Sequence, residues 1–421
     1  MSSPVVDYAS PAVPPGPHVP SLGGRIPSLD GLRALSILLV IIGHVRTTVP
    51  HFPFSVRRWA TAIPGNASLG VSIFFVISGF LITHLLLREQ QKTGRISLPG
   101  FYVRRFFRIM PAYYTFLICL IVLPRLPHVH YFHWLKLDNY SLGAAALFIT
   151  NYSPHSFGEW VGHTWSLSVE EQFYLFWPLL LSLVGRKQGG RIAVALIVAA
   201  PLVRIASWFW VPHESIFWHR IPILLHTRVD SLMFGCATAI FYASESFQAM
   251  IRRAFALRVH WAAFAFMFLV SPYLEVWSEP SIKVAAPPAP YLTLAGYSLE
   301  GVCIVLLLVW AVQNIEHPVG RLLNWKPVVH VGLISYSLYL WQQLFIVGGN
   351  PTWTGKFPLN VLCAVAAAEF SYFVIERTFL RLRDRLVGGH RYEKPLSMPL
   401  ASHVTTDSTG MSATPATAQS G

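Results

Sequence analysis

The chain has 421 residues, 53% of them hydrophobic and only 12% charged, with a formal net charge of +13. A soluble domain carries about a quarter charged residues, so this composition excludes an ordinary soluble fold and places most of the chain in lipid. The positive excess would suit a nucleic-acid binder in a soluble protein; in a membrane protein it first calls for loop anchors.

Residues 1–24 are rich in Pro, Ser and Gly and lack the basic start and apolar core of a secretory signal. They read as a disordered cytoplasmic tail. Apolar windows of about twenty residues then predict an all-α, polytopic membrane helical bundle of about ten transmembrane helices. These fall at 31–50, 68–87, 109–124, 164–184, 191–211, 225–243, 258–277, 291–313, 328–348 and 358–377. The apolar patch at 142–162 is broken by Asn151, Pro154 and Gly158, and is expected to form a loop or re-entrant hairpin on the outer side. Residues 25–385 thus form one transmembrane domain, and 386–421 a second, mostly disordered cytoplasmic tail.

With both termini cytoplasmic, the loops at 88–108, 185–191, 244–258 and 314–327 and the tail from 377 lie inside. They hold most of the Lys and Arg, a strong positive-inside bias. The net charge is therefore topology, and no nucleic-acid partner is expected. Cys119, Cys236, Cys303 and Cys363 fall in apolar runs without metal-ligand spacing, so neither a disulfide framework nor a metal site is expected.

The first span, LDGLRALSILLVIIGH, has Asp30 and Arg33 at its mouth and His44 well inside. Eleven residues separate Arg33 from His44, about three turns and roughly 16 Å on nearly one face. An ionisable group at such depth is a functional hypothesis; the alternative is a neutral histidine bonded between packed helices. In the second span, LGVSIFFVISGFLIT, the small residues Gly70, Ser72, Ser78 and Gly79 form a packing face, or else Ser78 and Gly79 line a passage.

Next, FYVRRFFRIMPAYY places Arg104, Arg105 and Arg108 where the chain re-enters the membrane. Arg105 and Arg108 share a helix face. They could hold phosphates through bidentate hydrogen bonds or simply anchor the helix. In HTWSLSVEEQFYLFWP, Glu170 and Glu171 point about 100° apart on a helix, so they cannot face the same partner. A buried histidine with one of them would make a base-and-orienter pair; a structural bridge is the competing account. HTRVDSLMFG sets Arg228 and Asp230 as a charge-paired bridge, with acceptor binding second. The ninth span offers Tyr336 among polar and aromatic residues that could line a cavity or pack. In the last span, Glu376 is expected to be satisfied by its neighbour Arg377.

Together these motifs resemble the acyltransferase family 3 of membrane-bound O-acyltransferases, found mainly in bacteria, which modify cell-surface polysaccharides and other glycosides. The resemblance covers roughly residues 25–385 and rests on five stretches in order: SLDGLRALSILLVIIGH, FFVISGFLIT, RRFFRIMPAYY, HTWSLSVEEQFYLFWP and FVIERTFLRL. It implies His44 as catalytic base, in a hallmark pair with Arg33. It implies that Arg105 and Arg108, beside Arg104, hold the phosphates of acyl-CoA, and that Glu170 orients His44 or the acceptor. Asp30, Ser78, Glu171, Arg228, Asp230 and Tyr336 follow as substrate-facing or structural positions.

Two departures stand out. Many members have His after LYLW where this chain has Gln342, and Pro where it has Thr378 after Glu376 and Arg377. They count against a role for the ninth-helix position. The chain is also expected to be too short for the hydrolase-like domain that some members carry.

The implied activity is transfer of an acyl group, acetyl first, from cytoplasmic acyl-CoA to a saccharide or glycoside hydroxyl. It would take place without metal, in the cytoplasmic (inner) membrane. Two rivals remain: a proton-coupled transporter with His44, Glu170 and Asp230 as relay, and a non-catalytic scaffold. Transporters often show internal repeats, and none is evident here.

Overall fold

The computed structural model describes residues 26–45, 48, 66–126, 138–153, 160–212, 215, 217, 220–271, 295–347 and 350–386; both tails lie outside them. Every regular element among the described residues is helical. Helix α1 spans Leu29–Val45. Helix α2, Ala67–Thr93, starts at Asn66, whose side chain accepts from the Leu69 N–H, and ends at Gly94 in the left-handed conformation. Helix α3 is Leu98–Val122. It begins eleven residues before the predicted span, because Ser97 caps it and Pro99 suits its first turn. The arginine cluster therefore rides on its first three turns.

The interrupted stretch at 142–162 holds the short helix α4, Asn139–Ala146, and 3-10 turns at Thr150–Tyr152 and Gly162–Thr164. Helix α5, Trp165–Trp210, joins two predicted spans across a break at Gly185, whose φ of 72° and ψ of 175° suit glycine. Then come α6, Leu225–Phe241, α7, Glu245–Ala256, and α8, Val259–Ala265, which runs on as a π segment, Phe266–Val270. The chain continues through α9, Tyr297–Gln313, α10, Pro318–Leu323, and α11, Lys326–Trp341. Helix α12, Leu359–Phe370, passes through a π segment, Ser371–Glu376, into α13, Arg377–Leu386.

Among the described residues five helical stretches are long and apolar enough to cross a membrane, or six if the α7–α8 pair, bent by 72°, crosses as one. About ten were predicted. The shortfall has two sources. Helices α1, α9 and α11 have 17, 17 and 16 residues, which at 1.5 Å each fall short of a hydrocarbon core about 30 Å thick. The two spans within α5 also count as a single stretch, although the break at Gly185 parts them into two helices.

Helix α2 lies at the centre, against α1, α6 and α9. It crosses α6 with almost no side chain between the backbones. A Cβ on Gly79 would sit 2.0 Å from the Leu232 carbonyl oxygen, and one on Gly235 2.0 Å from that of Val76. Of the neighbours left open by sequence, Gly79 belongs to packing. Replacing Gly235 with Val should force these helices apart at a cost of about 3 kcal/mol, the upper end for overpacking. Thermal melting in detergent would read this as a clearly lower Tm; an unchanged melt would mean that the crossing yields easily.

Candidate active site

Helices α1, α2, α3, α11 and α13 and the start of α5 enclose a cavity of about 850 Å³. Its wall brings together Asp30 and Arg33 from α1, Ser78 from α2, Arg104, Arg105 and Arg108 from α3, Glu170 and Tyr174 from α5, and Tyr336 and Tyr339 from α11. These residues come from motifs scattered over most of the chain. The first turn of α1 and the first three turns of α3 meet here, so this end is rich in arginine, with Asp30, Glu89, Glu170 and Asp384 on the same wall.

Each cation has a different setting. Arg33 lies 4.0 Å from Asp30, and Arg104 is 3.0 Å from Glu89. Arg108 is 3.8 Å from Glu376, a buried carboxylate that also accepts from Ser337. The expected satisfaction of Glu376 by Arg377 is corrected: the π segment turns the carboxylate inward, while Arg377 lies over the Phe373 ring at 5.1 Å. Arg105 has no ion pair among the described residues; its guanidinium lies 5.2 Å over the Tyr174 ring and 5.6 Å over Phe101.

Deeper in, Glu170 accepts from the Ser78 hydroxyl at 2.6 Å, and Tyr174 donates to the same serine oxygen at 3.2 Å. Glu171 faces elsewhere. It lines a separate open groove of about 910 Å³ with Phe106, Met110 and Phe176, and Arg105 and Tyr174 stand on the wall common to both spaces. Tyr336 donates to the Ile109 carbonyl at 2.9 Å and ties α11 to α3.

His44 is not well inside its helix but in the last turn of α1, outside the cavity lining. Its Nδ1 is 3.1 Å from Gln342 Oε1. The pairing considered between His44 and Glu170 is not formed here. Glu170 belongs with the arginine end, within electrostatic reach of Arg33 and Arg105, whereas His44 lies roughly 16 Å along α1 from Arg33.

A bonded layer bounds the cavity near His44. The Tyr339 hydroxyl is 2.5 Å from Ser166 Oγ and donates to the His163 carbonyl at 2.7 Å. The His163 ring packs on Tyr339 and Phe116, with centroids 5.5 and 5.8 Å away, and Phe116 in turn meets Trp341.

The bridge expected between Arg228 and Asp230 is also corrected. Asp230 pairs with Arg204 at 2.8 Å, both fully buried, and Ser298 bonds to both at 2.6 Å. Residues two apart on a helix point to different sides, which is why Arg228 turns instead to Ser72 at 3.0 Å and to the Tyr297 ring at 3.8 Å. Glu300 completes the network, accepting from Ser72 at 3.1 Å and Ser271 at 2.5 Å. The sequence reading passed over Glu300, although a carboxylate inside an apolar run is itself a signal. It also passed over Tyr174 and His163, and it discounted Gln342.

A family model described as an acyltransferase domain matches residues 26–375. The chain is similar to the peptidoglycan O-acetyltransferase OatA of Listeria monocytogenes, 26% identical over 373 residues, covering 84% of this chain and 54% of the relative. It is similar to the O-acetyltransferase OatA of Staphylococcus aureus, 27% identical over 373 residues, covering 83% and 56%. The putative peptidoglycan O-acetyltransferase YrhL of Bacillus subtilis is 29% identical over 378 residues, covering 84% and 54%. The chain therefore spans about half the length of the curated relatives it matches. No solved structure matches it.

Proposed function

Because the chain belongs to the acyltransferase-domain family, we propose that it is a multi-pass O-acyltransferase of the cytoplasmic membrane. It moves an acyl group, acetyl first, from cytoplasmic acyl-CoA to a hydroxyl of a saccharide or glycoside. The names of the relatives favour a cell-wall glycan as that acceptor.

The observation that carries this reading is the basic cavity. Five arginines, Arg33, Arg104, Arg105, Arg108 and Arg383, line a space of about 850 Å³ that also holds the serine-bound carboxylate of Glu170. Guanidinium forks suit the phosphates of an acyl-CoA. Arg105, held by aromatic rings rather than by an ion pair among the described residues, can take a phosphate without giving up a carboxylate. Arg104 and Arg108 would add to the field, and Glu170 with Ser78 would orient the group arriving at the deep end.

In the reaction, the acceptor oxygen attacks the thioester carbonyl carbon and its proton passes to His44. A carbon–oxygen bond forms, the carbon–sulfur bond breaks, and the leaving thiolate takes the proton from the imidazolium. Since His44 stands outside the cavity lining, the thioester has to pass the Tyr339 layer to reach it. A dry approach there protects the thioester from hydrolysis. The transporter reading loses its relay, because Asp230 is held by Arg204 and Ser298.

Membranes containing the wild-type chain, supplied with acyl-labelled acetyl-CoA, should place label on a saccharide in an alkali-labile ester. No transfer to any saccharide acceptor would overturn the proposal. Arg105→Ala should raise KM for the donor by about 10- to 100-fold, the size of one lost charge-assisted bond, with kcat within a few fold of wild type. Steady-state kinetics with varied donor would check this; an unchanged KM would reduce Arg105 to an anchor.

A further inference from the structure

We infer that Gln342 is the positioning residue for His44, an inference that rests on His44 being the base. Gln342 lies where α11 tightens into a 3-10 turn, Gln342–Leu344, and its side chain is wholly buried. Its Oε1 is 3.1 Å from His44 Nδ1. A carboxamide oxygen only accepts, so this contact keeps the ring proton on Nδ1 and the lone pair on Nε2. That is the tautomer required for proton uptake at Nε2.

The other end of the same carboxamide supplies a second observation. Gln342 Nε2 is buried and meets no acceptor among the described residues. A buried donor left unmade costs about 1–3 kcal/mol, which packing alone does not explain. Within a carboxamide's width of the imidazole, this N–H group is placed to meet the thioester oxygen as negative charge builds on it. One side chain thus sets the tautomer of the base and offers a donor to the oxyanion.

Among the described residues, His163 is within electrostatic reach of His44, while Glu300 is committed to Ser72 and Ser271. Asp30 and Arg33 sit about three turns away on α1 itself.

The test is a pH–rate profile of acyl transfer for Gln342→Glu and Gln342→Leu in membranes at matched protein levels, beside His44→Ala. The glutamate keeps an acceptor for the Nδ1 proton and adds a negative charge, so the acidic limb should rise by about one unit or more. Its plateau should fall roughly 100-fold with the lost donor. Leucine removes both interactions, so the plateau should fall at least as far while the limb does not rise. A Gln342→Glu limb at the wild-type position, or wild-type kcat in Gln342→Leu, would overturn the inference. An active His44→Ala would instead sink the base reading beneath it, whereas an inactive His44→Ala beside a wild-type Gln342→Leu would sink only the positioning role.

Discussion

His44→Ala is expected to lower acyl transfer by about 100- to 10,000-fold, the range for loss of a general base, while the bundle stays folded. The first half follows from the proton that the attacking hydroxyl must lose. The second follows from where the residue sits. His44 occupies the final turn of α1 and is only partly buried. Removing it breaks a neutral bond to Gln342, worth about 1 kcal/mol. Elsewhere α1 is held at its other end, where Gly332 of α11 lies against the Asp30 backbone and Ser28 bonds to the Ala311 carbonyl and to Asn324. The donor KM should hardly move, because the arginines lie at that same far end. Single-turnover rates with saturating donor, taken with a melting curve, separate these effects. Undiminished turnover would leave the imidazole a packing role and remove the centre of the mechanism.

Asp230→Ala should damage the fold more than any surface change. It strands the Arg204 guanidinium in a fully buried site, with Ser298 and the Thr227 carbonyl as neutral partners. Breaking one side of a buried pair typically costs about 3–5 kcal/mol. The expected result is poor recovery of folded protein and a large fall in Tm. Replacing both partners, Arg204→Met with Asp230→Leu, should recover much of the loss, since no charge is left unpaired. The double-mutant cycle reads the coupling directly. A wild-type melt for Asp230→Ala alone would mean that the charge finds another way to be neutralised.

Helix positions were legible because apolar windows measure what lipid demands, and α2 and α6 fall close to their predicted ranges. Helix α3 was cut short for the same reason. Its first turns carry arginines, which lower the apolar signal without weakening a helix capped by Ser97. The gathering of Arg33, Arg105, Arg108, Ser78 and Glu170 on one cavity wall was foreshadowed by their motifs. Their partners were not. Periodicity tells which face a side chain takes, never which distant segment meets that face. His44 meets a residue 298 positions away, and Asp230 one 26 positions away. Gln342 was set aside as a departure from the family pattern, yet its side chain meets His44.

The bonded layer of Tyr339, Ser166 and His163 has an energetic consequence for the membrane that would hold this protein. A bilayer at a potential of 100 mV stores about 2.3 kcal/mol for every elementary charge that crosses it. A water-filled route from the basic cavity to the opposite face would let protons run down that gradient continuously. Hydroxyls already committed to one another and to a backbone carbonyl, backed by the rings of Phe116 and Trp341, would stand in the way of such a route. On the proposed mechanism, passage of an acyl group would require these side chains to part and close again, so that the insulation of the membrane would be restored with every turnover.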